Sequence, residues 1–409
     1  MRRLAAVIAC WTLLAGTACA PRVLVVGLDG VGWDLLDPLI EGGYVPTLAR
    51  LVEEGARAEL DCRVATGSEH NSCFCPPVWG SVVTGRDVAA HGLGDFGVRS
   101  IERRASTIWD VNKAFGGNNT LLSLHNAWPP EPAADFEVTE PGTAILSSEF
   151  YEIANPVKSG PAFERPQTWT KPPFLLEALG LLPFDGERRH SWLPSGKDRV
   201  SMATLSALAQ ERQRRDETLP FYERVPEFDM VLLHSTDRTL HMGWGTLQAR
   251  PGDPIDVATL FAQADTWRGP FHPPPPIQWG RPPFQVMEAD RWLGELLEQV
   301  HYDYVVLLSD HAMAANPQPG EFPSGLHLGQ AFDGILVIHG PGVVLPGVDL
   351  GKVTLFEVAP TIAYLMGLPI SEELPGRVLE EAIDELALYF VPPETTPSWQ
   401  PYLLFDGDR

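Results

Sequence analysis

Three short apolar runs, each leading into acidic or histidine residues, constrain the fold more than any other feature. Val23-Leu24-Val25-Val26-Gly27-Leu28 runs into Asp29-Gly30. Asp229-Met230-Val231-Leu232-Leu233 is followed closely by Asp237. Tyr304-Val305-Val306-Leu307-Leu308-Ser309 runs into Asp310-His311. Apolar runs this short, bounded by turn residues, read as strands buried on both faces of a parallel sheet. Helical patterns lie between them. One covers Trp33 to Glu41 and stops at Gly42-Gly43, and a second covers Pro46 to Glu54 and stops at Gly55. A third covers Pro76 to Val83, opened by proline and closed by Gly85. Further helices are predicted over Ser201–Arg215 and Val286–Val300, and further strands over Thr120–Leu124 and Gly334–Ile338. This alternation predicts an α/β fold, a three-layer αβα sandwich around a mostly parallel central sheet. The sequence holds no internal repeat, no Walker loop and no Gly-x-Gly-x-x-Gly fingerprint.

The balance of charge narrows the function classes. The 409 residues carry a formal net charge of -23, so the chain lacks the basic footprint needed for duplex nucleic acid. An anionic substrate would need local positive charge, and bound metal is the natural source. The 44% hydrophobic content suits a folded domain, and the 39 prolines, four of them at Pro273–Pro276, predict rigid loops.

Met1-Arg2-Arg3 followed by the apolar run Leu4–Leu14 is too short to span a bilayer and fits an export signal over residues 1–19. Ala18-Cys19-Ala20 is similar to a signal-peptidase site, although Pro21 would follow the cut. Ala15-Gly16-Thr17-Ala18-Cys19 is similar to a lipobox, with Gly16 where leucine is usual. The favoured expectation is a periplasmic or membrane-attached lipoprotein, lipidated at Cys19. Its folded domain would span 20–391, with insertions at about 125–225 and 245–285 and a peripheral tail at 392–409. The mature domain holds Cys62, Cys73 and Cys75. Export permits a disulfide, and three thiols leave one odd.

In open α/β sheets, ligands bind beyond the carboxyl ends of the strands. Asp29, Asp237 with His241, and Asp310 with His311 would meet at that rim. Aspartate and neutral histidine are good zinc ligands. Asp237 and His241, four residues apart, share one face if a helix begins there.

At these residues the chain resembles the alkaline phosphatase superfamily. It is closest to the nucleotide pyrophosphatase/phosphodiesterase branch and related bacterial phosphohydrolases. The matching pieces are Val25–Gly30, Pro76–Trp79 through Thr84-Gly85 to His91-Gly92, Thr236–His241, Ser309–His311, Ser324–His327, Gly334-Ile335 through Gly340–Gly342, and Ala359–Ile362. The resemblance spans roughly Val23 to Leu379, with looser matches in the middle. It implies two zinc ions. Asp237, His241 and His327 would hold one, and Asp29, Asp310 and His311 the other, with the nucleophile bridging them. That nucleophile falls at Cys75, where the branch carries threonine or serine, so Cys75 is both the catalytic candidate and a metal-ligand candidate. The implied substrate is a small phosphate ester, because two ions about 4 Å apart can clamp the oxygens of an in-line phosphoryl displacement.

Four readings of Cys75 stay open. It attacks phosphorus as a thiolate, favoured by the dipole of the helix that Pro76 opens and by adjacent zinc. It is oxidised to formylglycine, as in related sulfatases and phosphonate monoester hydrolases, although Trp79 stands where their motif has arginine. It is a structural ligand or disulfide partner in a protein with little turnover. Or Cys62 pairs with Cys73, Cys75 stays free, and a metal-bound water attacks. His234, Arg238, Trp79 and Trp244 lie near the motifs as pocket candidates, each with packing or loop structure as the alternative. Glu69, His70 and Asn71 have no assigned role. The functional expectation is an exported, metal-dependent phosphoric ester hydrolase. The alternatives are a formylglycine-type hydrolase on the same scaffold and a catalytically silent metal-binding lipoprotein.

Overall fold

The apolar runs form the middle of a nine-stranded sheet. The computed structural model describes residues 20–65, 73, 75–139, 170–173, 175–178, 196–220, 223–244, 254–255, 282–315, 325–326, 333–340 and 342–404. The strands of the nine-stranded sheet are β1 (Arg22–Leu28), β2 (Ala56–Asp61), β3 (Asn118–Leu122), β4 (Phe136–Val138), β5 (Thr170–Lys171), β6 (Glu227–Leu233), β7 (Tyr304–Leu308), β8 (Asp333–His339) and β9 (Val348–Thr354). Their order across the sheet is β9-β2-β8-β7-β1-β6-β3-β4-β5. β8 runs antiparallel to both β2 and β7, and β5 runs antiparallel to β4. The other pairings are parallel, with Val26 of β1 opposite Val231 on one side and Leu307 on the other.

The helices used below are α1 (Trp33–Glu41), α2 (Pro46–Glu54), α3 (Cys75–Thr84), α4 (Ile108–Ala114), α5 (Gly196–Thr218), α6 (Ser235–Gly243), α7 (Pro282–Gln299) and α8 (Val358–Leu365). Alternate residues of a strand face opposite sides of the sheet, so each face builds its own core. Val23 and Val25 join Val78 and Val82 of α3, Ile108 of α4 and Ile362 of α8. Leu24, Val26 and Leu28 join Leu35 and Leu39 of α1, Leu48 of α2, Leu205 of α5 and Leu293 of α7. Covering both faces is what makes the β1 run almost continuously apolar. Each such side chain contributes about 1.5–3 kcal/mol by leaving water. This is the expected three-layer αβα sandwich.

α7 begins at Pro282, four residues before the expected start at Val286, because a helix's first turn has no need of the missing N–H groups. Within the stretch 125–225, the described residues add β4, β5 and α5 to the sandwich. The final segment is tied down. Thr395-Thr396 pairs with Ile370-Ser371, the indole N–H of Trp399 donates to the Pro369 carbonyl at 2.7 Å, and Ser106 donates to the Trp399 carbonyl at 2.7 Å. Trp399 is buried in the core. Among the described residues, no helix is long and apolar enough to cross a membrane. The expected export signal and Cys19 lie outside the described residues.

Candidate active site

Four neighbouring strands, β7, β1, β6 and β3, run parallel, so their carboxyl ends share one rim. Beyond those ends come, in turn, Asp310-His311, Asp29, His234 with Asp237, and His125. Short contacts knit the loops. The Asp29 N–H donates to the Leu233 carbonyl at 3.2 Å, and the Thr236 hydroxyl donates to the Asp29 carbonyl at 2.6 Å. The Gly30 N–H donates to Asp310 at 3.3 Å, and the Val31 N–H to the Ser309 hydroxyl at 2.9 Å. Gly30 sits at φ +79°, and a Cβ there would stand 3.1 Å from both Cα and Oδ1 of Asp237. The Asp-Gly pair is thus a local requirement, since only glycine takes that conformation cheaply and lets the two loops approach.

Donor atoms of Asp29, Cys75, Asp310 and His311 lie within 4.8 Å of one another, and all four residues are buried. Nε2 of His311 is 3.4 Å from Asp310 Oδ2, 3.7 Å from Asp29 Oδ1 and 3.6 Å from the Cys75 sulfur. The two carboxylate separations exceed an ordinary hydrogen bond. All three are close to the separation of about 3.3–3.6 Å between donors in a tetrahedral zinc shell with its usual bond lengths. Asp29 Oδ1 and Asp310 Oδ2 are buried and accept no hydrogen bond. Nδ1 of His311 faces the Ala312 carbonyl at 2.9 Å and so must donate to it, which leaves the Nε2 lone pair turned to the cluster. A divalent cation fits this donor set.

The electrostatics agree. Burial, and then the Asp237 charge, raises the Asp29 carboxyl above its ordinary range. Burial, and then Asp29, pushes Asp310 up to about 8. Burial, followed by Asp29, Asp310 and Asp237, pushes the Cys75 thiol well above its usual value. Cys75 opens α3, but a helix N-terminus contributes only about 0.3–1 kcal/mol, up to about 2 in a buried setting. One carboxylate at 4 Å acts with about 4 kcal/mol at an effective dielectric of 20. The acids win, and without a cation the expected helix-stabilised thiolate does not form.

Cys62 and Cys73 form a disulfide with Cα atoms 5.8 Å apart, and Cys75 is a free buried thiol. The reading of Cys75 as a disulfide partner is therefore overturned. Asp237 and His241 share one face of α6, as their spacing implies, with 3.3 Å between Oδ1 and Nε2. Asp237 Oδ1 is 3.9 Å from His311 Nε2, while the His241 side chain is 40% exposed. His327 lies outside the described residues, as do Glu69, His70 and Asn71. Trp79 and Trp244 are core residues on opposite faces of the sheet, and Arg238 is exposed.

Two histidines join the site without having been assigned as ligands. His234 Nδ1 is 3.4 Å, and His125 Nε2 is 3.7 Å, from Asp29 Oδ2. His125 lies three residues beyond the end of β3, on the same rim as Asp310 beyond β7.

Residues 23–349 match the type I phosphodiesterase / nucleotide pyrophosphatase family. No curated protein matches the chain. Among solved structures, a mutant of the alkaline phosphatase PafA is similar at TM-score 0.53 and 11% identity, over 89% of this chain and 99% of that one. The structure of Ps i-CgsB is similar at TM-score 0.52 and 16% identity, over 92% of this chain and 77% of that one. These likenesses agree with the fold. With a match over most of its length, a mixed and mostly parallel sheet, and buried cation donors at the strand ends, the chain belongs to the type I phosphodiesterase / nucleotide pyrophosphatase family of the alkaline phosphatase superfamily.

Proposed function

We propose that the protein is an exported, zinc-dependent phosphoric ester hydrolase acting on small phosphate mono- or diesters. The observation that carries this reading is the convergence of Asp29, Cys75, Asp310 and His311 within 4.8 Å at the rim of the sheet. Those four would hold one zinc ion, and Asp237, His241 and His327 the other. Bound zinc supplies charge neutralisation and Lewis-acid polarisation of a phosphoryl oxygen. The chain's own part is to fix that chemistry in place. Gly30 lets the Asp29 and Asp237 loops close, and the Ala312 carbonyl fixes the His311 ring. α3 carries Cys75 into the cluster as the candidate nucleophile.

The test uses zinc-loaded protein with aryl phosphate monoester, aryl phosphate diester and aryl sulfate substrates. Turnover of a phosphate ester is expected, lost on chelation and lost in Asp310→Asn and His311→Ala. Variants stripped of metal that hydrolyse at the wild-type rate reject the reading.

The free state of Cys75 favours a second reading, in which its CH2–SH is oxidised to the formylglycine aldehyde by a separate oxidase and oxidant. Mass spectrometry of the Cys75 peptide from the native host decides it, since conversion removes the sulfur and an intact thiol excludes it. Export as a lipoprotein rests on Met1–Cys19, and a mature chain beginning at lipid-modified Cys19 in host membranes is the expected result.

A further inference from the structure

Asp29 turns its two carboxylate oxygens toward two different groups of donors. Oδ1 faces His311, and Oδ2 faces His125 and His234. We infer that Asp29 Oδ2, His125 Nε2 and His234 Nδ1 form a further seat for a zinc-like divalent ion, which shares Asp29 with the Cys75/Asp310/His311 seat.

The first support is distance. The three donor atoms lie within 4.8 Å of one another. At 3.4 and 3.7 Å from Asp29 Oδ2, the histidine nitrogens are too far for good hydrogen bonds. They sit where the donors of a tetrahedral zinc ion sit, about 3.3–3.6 Å apart. The histidine rings meet edge to face with centroids 4.5 Å apart, so the nitrogens converge without the rings stacking.

The second support is orientation. His234 Nε2 lies 2.6 Å from the Ser123 carbonyl, to which it must donate, so in the neutral ring the lone pair is on Nδ1, which faces Asp29 Oδ2 at 3.4 Å. A carbonyl on the far nitrogen is the usual way a ligating histidine is held. The backbone is bent to supply it, because Ser123 is left-handed at φ +61° and Asn126, beyond His125, at φ +57°. Each costs on the order of 1 kcal/mol outside glycine, and such positions concentrate where a site needs them. The Asn126 amide donates to the Asp95 and Val98 carbonyls at 2.8 and 2.7 Å and fixes the bend. On the other side, buried Asp198 of α5 accepts from the His234 and Ser235 N–H groups at 3.0 and 2.9 Å.

The third support is the donor count. Three protein donors leave a fourth position for water or a substrate oxygen, the pattern of a catalytic rather than a structural zinc.

The experiment counts metal and does not need turnover. Full-length protein is stripped with chelator, reloaded with zinc and read by elemental analysis, for wild type, His125→Gln, His234→Gln, His241→Gln, the double variant His125→Gln with His241→Gln, and Asp310→Asn. The expected result is that His125→Gln and His234→Gln each hold one equivalent less than wild type, and that adding His125→Gln to His241→Gln removes a further equivalent. Unchanged stoichiometry and zinc affinity in both His125→Gln and His234→Gln overturn the seat. Zinc content unchanged in Asp310→Asn would instead count against the seat under Proposed function, so the two failures are told apart. If either glutamine variant fails to fold, wild-type crystals grown with zinc give the second measurement. An anomalous peak between Asp29, His125 and His234 is expected, and no peak there overturns the inference.

Discussion

The Cys75 sulfur lies 3.6 Å from Nε2 of His311, inside a ring of three carboxylates that raise its proton affinity. In metal-free protein Cys75 is therefore a protonated thiol at neutral and mildly alkaline pH. Alkylation by iodoacetamide at pH 8 should run at least 10-fold slower at Cys75 than at an unstructured cysteine, whose pKa is about 8.5. Peptide mass spectrometry over a time course reads the rate. A rate equal to the free thiol's would mean that the carboxylates do not act on Cys75 as described.

Gly30 separates two loops that must approach each other. Gly30→Ala forces a left-handed alanine at φ +79° and sets a methyl 3.1 Å from Asp237. The expected loss is about 1–2 kcal/mol from the backbone alone. Zinc affinity should fall as well, because the added methyl pushes Asp237 away from Asp29. Denaturant titration and zinc titration measure the two effects. Wild-type zinc affinity in the variant would mean that the loop spacing does not position the donors.

Much of this architecture is legible in the residues. α1 and α2 begin and end where their apolar spacing and closing glycines place them. The β1, β6 and β7 runs announce themselves because both faces are covered. β2 does not. Its alternation of Ala56, Ala58 and Leu60 with Arg57 and Glu59 is short and half charged, and nothing in the sequence pairs it with β8. Nor does the apolar run of β8 reveal that it alone in the sheet's centre runs backwards, since burial on two faces looks the same in either direction. Within the site, Asp29, Asp310 and His311 follow their strands directly and are easy to find. His125 comes three residues past a strand that opens with Asn118-Asn119, after a left-handed serine that no residue pattern signals.

The Cys62–Cys73 disulfide joins the end of β2 to the residues just before α3, across 11 positions. Closing a loop of this length removes unfolded-state entropy worth about 3 kcal/mol in the chain-entropy model. Cys62→Ser with Cys73→Ser should lower unfolding free energy by about 2–4 kcal/mol, read by urea denaturation, with Cys75 still a free thiol by mass. No measurable loss would place the stability of this corner in the apolar packing around Cys62 and Cys73, both of which are buried.

Away from the rim, β4 carries a buried acid. Glu137 faces Glu131, whose N–H donates to its Oε2 at 2.6 Å, while Oε1 accepts no hydrogen bond. Burial first, and then the Glu131 charge, holds the Glu137 carboxyl well above its ordinary range, and burial raises Glu131 to about 7 despite Arg103 at 2.9 Å. Raised carboxyls remain protonated in the folded chain at pH values where the unfolded chain has released its protons. Folding then takes up protons, so these groups make stability fall as pH rises from about 4.5 toward and beyond 7. Glu137→Gln keeps an acceptor for the Glu131 N–H and removes one titrating acid. Its urea midpoint should match wild type near pH 4.5 and exceed it at pH 8. A midpoint gain that is the same at both pH values would show that Glu137 does not make stability fall with pH, and a loss confined to pH 8 would show that it is ionised and stabilising in the fold, the opposite of what its surroundings dictate.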